Sequence, residues 1–285
     1  MTLPAAAAGW SSSIGPDAAR VIDAFAEPGR AAGVFTDLFA LPIDVPLPDD
    51  VLLSYARYGL TKSFDGGFDE VWSAWGTTAG APADVLAAFD GAFSSQSFDA
   101  ASRTETDMGP YVAVTLTYPP TPEAAAEGWA PLTVTVMPET DATMAETGRS
   151  DLRVDLTRRV AELPELSTFV GGWLAEAPVA EGTSPIEVNV EASSQPAPRL
   201  TYNVRYEAPA DDFDRLVEFY AAERTGGALV YPAVEAPADL SEVEWFSGDP
   251  AATLAGYPLT ASVERYLPEP DQPVVASLGV TITGG

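Results

Sequence analysis

Two stretches of this chain repeat each other, and an internal repeat restricts the fold to one unit used twice. Residues 108–123 (MGPYVAVTLTYPPTPE) and 256–271 (GYPLTASVERYLPEPD) place Pro110, Tyr118, Pro120 and Pro122 against Pro258, Tyr266, Pro268 and Pro270 at one constant offset of 148. Each stretch is followed by a short alternating run, 132–136 (LTVTV) and 278–282 (LGVTI). Period-two alternation with Val and Thr is a strand pattern, and proline is tolerated where no ladder donor is needed. Both halves are therefore expected to close with a strand, a proline-rich turn and another strand.

The correspondence extends upstream. Ala81-Pro82-Ala83-Asp84 recurs as Ala208-Pro209-Ala210-Asp211. Each opens a helical pattern, with Leu86, Phe89 and Phe93 on one face of the first and Phe213, Leu216 and Phe219 or Tyr220 on the second. Proline in the first turn beside an acid is an ordinary helix start. Ahead of each helix stand two strands, 51–58 and 68–75 around Phe64-Asp65-Gly66-Gly67, then 186–192 and 200–206. The Asp-Gly pair suits a tight hairpin turn. The chain thus reads as α+β, a tandem duplication of a unit with an antiparallel sheet and one main helix in the order hairpin, helix, closing strands.

A fainter likeness of Ala19-Arg20-Val21 to Arg158-Arg159-Val160 sets the units at 17–140 and 151–285, with 1–16 as an N-terminal arm or tether and 141–150 as a polar linker. The offset is 127 at the helices and 148 at the closing strands, so the second unit is expected to carry an insertion within 225–255. An insertion in one copy needs a reason of its own, and loops on rigid scaffolds often carry recognition. Tyr231, Trp245 and Phe246 in that stretch are accordingly candidates for a partner or ligand surface, since Trp and Tyr are favoured interface anchors. Tyr202, Val204 and Tyr206 on one strand, and Val71, Ser73 and Trp75 on its counterpart, are expected to form core against the helices.

Charge narrows the partners. The 14 Lys and Arg against 42 Asp and Glu give a formal charge of -28, which repels phosphate backbones and anionic headgroups. Neither nucleic acid nor an anionic membrane surface is expected to bind; the partner is an unidentified protein or glycan. The one basic cluster, Arg149, Arg153, Arg158 and Arg159, reads as a face balanced by Asp151, Asp155 and Glu162.

Inventory narrows the chemistry. The chain has no His and no Cys, so Ser-His-Asp and Cys-His nucleophiles, His-based zinc sites and thiol redox centres are excluded, and no cofactor is expected. Gly66-Gly67, Gly171-Gly172 and Gly226-Gly227 lack the phosphate-cradling patterns and read as turns. Carboxylate chemistry survives, with Glu70 near Trp72 and Glu244 beside Trp245 as candidates and a solvated charge on a sheet face as the ordinary alternative. Asp65, Asp69 and Glu70 crowd the hairpin turn and are the candidate ligands for a weakly held divalent cation.

The expectation is a non-catalytic binding or scaffold protein. Its Ala-, Pro-, Thr- and Ser-rich opening resembles a tether and leans toward an extracytoplasmic or cell-envelope setting. A carboxylate-dependent glycan hydrolase, and a cytoplasmic partner-binding domain of an acid-rich or halophilic organism, are the alternatives.

Overall fold

The computed structural model describes residues 47, 50–89, 97–140, 146–163, 179–194, 197–222, 243–247, 253–254, 257–266 and 271–283. The first half contributes β1 (Leu52–Lys62), β2 (Phe68–Thr78), α1 (Pro82–Phe89), β3 (Ser102–Asp107), β4 (Val112–Tyr118), α2 (Pro122–Ala126), β5 (Leu132–Thr140) and β6 (Glu146–Val160). The second contributes β7 (Ser184–Ser193), β8 (Arg199–Ala208), α3 (Phe213–Ala222), β9 (Val243–Ser247), β10 (Thr253–Leu254), β11 (Tyr257–Tyr266) and β12 (Val274–Thr283). These strands make one sheet in the order β10-β11-β12-β8-β7-β1-β2-β6-β5-β4-β3, with β9 beside β11. Each pairing is antiparallel, so the fold is of the α+β or mainly-β type.

The hairpins form where the turn chemistry and alternation put them. β1 and β2 pair from Lys62 opposite Phe68 back to Leu52 opposite Thr77, with one irregularity between Leu53 and Tyr55. β7 and β8 make the second hairpin, and β1 pairs with β7 through Gly59 opposite Asn189, which joins the halves.

Residues 146–150, expected in the polar linker, are instead the start of β6. This 15-residue strand pairs with β2 from Val160 opposite Phe68 to Ser150 opposite Thr78, and with β5 on its other side. Its even positions Leu152, Val154 and Leu156 are buried, and burying that alternating row is what holds it between two partners. Arg158-Arg159-Val160, matched by sequence to the start of the first unit, is the end of this strand. The strands matched as counterparts, β5 and β12, also differ in position: β12 lies against β8, whereas β6 occupies the place against β2. The stretch expected as an insertion, 225–255, includes β9 and β10, both paired to β11.

One face of the sheet is apolar and carries the helices. Ala56, Tyr58, Leu60, Trp72, Ala74, Val188, Val190, Tyr202, Val204 and Tyr206 are all buried on it. Val85, Leu86 and Phe89 of α1 pack there, and the Tyr118 hydroxyl of β4 donates to the Phe89 carbonyl at 2.8 Å, closing the C-terminal turn of the helix. Phe213, Leu216, Val217 and Tyr220 of α3 are likewise buried, and Arg265 of β11 lies 4.7 Å over the Phe213 ring. Full burial of each large side chain contributes about 1.5–3 kcal/mol.

The expectation for Tyr202, Val204 and Tyr206 holds, but that for Val71, Ser73 and Trp75 is one residue out of phase. Trp75 is 42% exposed and Val71 only half-buried, because β2 turns its even positions Trp72 and Ala74 to the helices. A one-residue change of phase sends every side chain of a strand to the other face. β2 has bulky residues on both phases, so only its neighbours decide which is buried.

Candidate functional site

The opposite face of the sheet carries polar side chains around one exposed aromatic row. Counting outward from the hairpin turn, Tyr55 falls opposite Trp75, and Trp75 opposite Arg153 of β6. The Tyr55 and Trp75 ring centroids are 4.7 Å apart with planes at 34°, and the Arg153 guanidinium carbon sits 5.1 Å from the Trp75 ring. Trp75 is thus flanked by a ring from one strand and a cation from the next. Such cross-strand pairs stabilise a sheet and fix their own rotamers.

Neighbouring groups hold this row in place. Arg153 forms a two-pronged pair with Asp155, Nε to Oδ2 at 2.5 Å and Nη2 to Oδ1 at 3.2 Å. Ser73 Oγ donates to Asp155 Oδ1 at 2.7 Å. Burial, and after it the nearby Glu191 carboxylate, pushes the Tyr55 hydroxyl up to about 12. Beside Trp75 lies a cavity of about 360 Å³ lined by Ser54, Thr77, Met137, Asp151 and Arg153. Desolvation, then Glu139, raises Asp151 above the ordinary carboxylate value.

Charge on this face is balanced, in contrast to the chain as a whole. Arg57, Arg149 and Arg205 meet Glu191, Glu139 and Glu187, while Arg159 meets Asp65 and Asp69. The basic cluster seen in the sequence is split by strand alternation, since Arg149, Arg153 and Arg159 project here and Arg158 projects to the other side.

Glu70 differs from its expected role. It is 3% exposed and so is no solvated charge, because a residue two places from Trp72 shares its face. It accepts the Tyr58 hydroxyl at 3.1 Å and Arg158 through Nε at 2.8 Å and Nη2 at 2.5 Å. The Arg158 guanidinium carbon lies 5.0 Å from the Trp129 ring and 5.9 Å from Trp72. Burial, and then Glu70, raises the Tyr58 hydroxyl far above its ordinary value, so it stays protonated and donates. The arrangement is a tied ion pair in an aromatic box.

The three candidate metal ligands do not converge. Asp65 and Asp69 take the Arg159 guanidinium, Asp69 at 3.0 Å, while Glu70 takes Arg158 on the other face. Among the described residues no group of three metal-capable side chains occurs. Tyr231 lies outside the described residues. Trp245 and Phe246 occupy adjacent places on β9, opposite Glu264 and Val263 of β11, and Glu244 stands opposite Arg265.

Sequence reasoning missed the Tyr55, Trp75 and Arg153 row. The signal was available for two of the three, since the hairpin register counted back from Gly66-Gly67 pairs Tyr55 with Trp75; the approach of β6 was not.

Comparison with known proteins returns no match: no family model fits the chain, and no curated protein or solved structure matches it. Among the described residues the architecture is an antiparallel sheet with one helix-packed apolar face and one polar face.

Proposed function

We propose that this chain is a non-catalytic binding or scaffold protein whose open sheet face holds a protein partner. The observation that carries the reading is the Tyr55, Trp75 and Arg153 row, with Trp75 42% exposed at the middle of a polar, charge-balanced face. Trp, Tyr and Arg are the residues that dominate interface energetics, above all when their conformations are set before binding. A balanced patch in a chain of charge -28 also avoids burying unpaired charge at the contact. A glycan is a poorer occupant, because Tyr55 and Arg153 already flank the indole that a sugar would stack on. The hydrolase alternative loses one of its two candidate acids, Glu70, to the Arg158 ion pair.

The test compares partners captured by the wild-type chain and by Trp75→Ala, each first shown to be folded by circular dichroism. A protein held by the wild type and lost from both Trp75→Ala and Arg153→Ala supports the reading. A partner whose affinity is undiminished in both variants overturns it.

The duplication belongs to the same proposal in revised form. Both halves run hairpin, helix, further strands, and both end on a hairpin whose last strand lies against the second strand of the first hairpin. On this reading β5–β6 answers to β11–β12, the first unit ends near Val160, and 225–255 is a counterpart of β3 and β4, not an insertion. An experimental structure whose halves superpose on that pairing supports it; halves whose helices cross the sheet in unrelated directions refute it.

A further inference from the structure

The end of the sheet at the β1–β2 turn carries a second surface that does not involve Trp75. Phe64 stands at the tip of this turn with its side chain fully exposed. The turn is tied down from within and from behind. Ser63 N–H donates to the Gly67 carbonyl at 3.1 Å, and Gly66 N–H to the Ser63 carbonyl at 3.2 Å. From β6, Arg159 binds the Asp65 and Asp69 carboxylates and the Gly66 carbonyl. An aromatic ring held out in water on a fixed turn has not been left there by chain mobility.

Next to this turn opens a concavity of about 740 Å³. Ala125, Ala126, Val160 and Ala161 line it with small apolar groups, and Asp65, Glu127 and Arg159 line it with charge. Glu162 follows Ala161 and is exposed. The cation bordering the concavity, Arg159, is committed to two carboxylates. Its walls are preformed: Gly128, at φ +92°, lets the α2–β5 connection close on β6, where Arg159 N–H donates to the Gly128 carbonyl at 2.7 Å. A Cβ on Gly128 would lie 1.9 Å from the Arg159 carbonyl oxygen.

We propose that this concavity docks a basic amphipathic peptide segment of a partner protein. An apolar side chain of the segment enters the concavity, Phe64 at the neighbouring turn tip covers its flank, and the segment's Lys or Arg residues meet Glu127 and Glu162. Charge selects this occupant. A formal charge of -28 attracts and steers a cationic segment and repels nucleic acid, an anionic lipid surface and a second copy of the chain alike.

The test uses the full chain and a fluorescein-labelled 14-residue amphipathic peptide of Leu and Lys, titrated by fluorescence anisotropy in about 150 mM salt, where the Debye length is about 8 Å and long-range attraction is screened. Ala126→Arg fills the concavity and adds a positive charge to it; Phe64→Ala removes the anchor. Thr104→Arg, on the outermost strand β3, makes the same charge change elsewhere, and Trp75→Ala disables the open face. The expected result is at least a tenfold loss of affinity for Ala126→Arg and a clear loss for Phe64→Ala, with Thr104→Arg and Trp75→Ala within twofold of wild type. Equal losses for Ala126→Arg and Thr104→Arg overturn the proposal by showing diffuse attraction only. Loss in Trp75→Ala alone also overturns it, and moves the peptide to the open face. Should Ala126→Arg fail to fold, Phe64→Ala at the exposed tip decides by itself.

Discussion

The Glu70–Arg158 pair should be asymmetric under mutation, because its two members are buried to different depths. The Glu70 side chain is 4% exposed and the Arg158 side chain 27%. Arg158→Met leaves the carboxylate out of water, with the Tyr58 hydroxyl still donating to it at 3.1 Å. Removing one partner of a buried pair in this way costs about 3–5 kcal/mol. Glu70→Gln leaves a cation that still faces Trp129 and Trp72 and still reaches solvent. The amide oxygen also keeps an acceptor for Tyr58, so the cost is that of a weakened hydrogen bond to a charged group, about 1.5–3 kcal/mol. For a chain of this size each kcal/mol moves the midpoint by roughly 2 °C. Arg158→Met should therefore melt about 6–10 °C below wild type and Glu70→Gln about 3–6 °C below it on the same scale. Replacing both with apolar residues, Glu70→Leu with Arg158→Met, should cost less than Arg158→Met alone, since no charge is then left in the core. Thermal unfolding followed by Trp fluorescence at pH 7.5 reads all three. A Glu70→Gln variant as unstable as Arg158→Met, or a double variant less stable than either, would refute the argument that burial of the carboxylate sets the cost.

Two carboxylates should give stability opposite dependences on pH. The Thr78 hydroxyl and then the Ala79 N–H hold Asp50 below its ordinary 3.8, so its contribution is complete above that value and lost as the pH falls through the lower folded value; Asp50→Asn should destabilise at pH 7 and converge on wild type as the pH falls below 3.8 in pH-dependent melting. Asp151 is raised above 3.8 by desolvation, so its ionised form is disfavoured in the fold; Asp151→Asn should raise the midpoint at pH 7, with the gain shrinking as the pH falls through the raised folded value and vanishing below 3.8. Screening of the -28 charge should raise the wild-type midpoint between low salt and about 0.5 M sodium chloride, and a flat or falling midpoint there would show self-repulsion to be unimportant. Gly128→Ala combines φ +92° with a collision against the Arg159 carbonyl and should cost at least about 2 kcal/mol, measured by urea unfolding.

The elements that local chemistry specifies were legible. Asp65-Gly66-Gly67 between two alternating runs gave the first hairpin, and Pro82 and Pro209 with acids beside them marked the helix starts within a few residues. The candidate site was less legible. Exposure of Trp75 and burial of Glu70 both follow from the phase of β2, and a strand with Phe68, Trp72 and Ala74 on one phase and Val71 and Trp75 on the other satisfies either choice by pattern alone. The closing strands failed for a related reason, since prolines and a tyrosine in and around β4 recur at one offset in and around β11 although these strands hold different places in the sheet.

By itself the sequence determined the class of elements, the first hairpin's turn, the helix starts, the absence of His and Cys chemistry and the sign of the field around the molecule. These follow from properties of single residues or of residues a few places apart, such as φ preference, period and charge. The tertiary structure alone decided that β6 enters between β2 and β5, that the halves join through β1 and β7, and which phase of β2 faces the helices. Each of those depends on pairings between residues far apart in the chain, such as Trp75 with Arg153 and Tyr58 with Val190. Local alternation does not encode which strand lies next to which; that is settled by burying the apolar rows of all the strands together under the same helices.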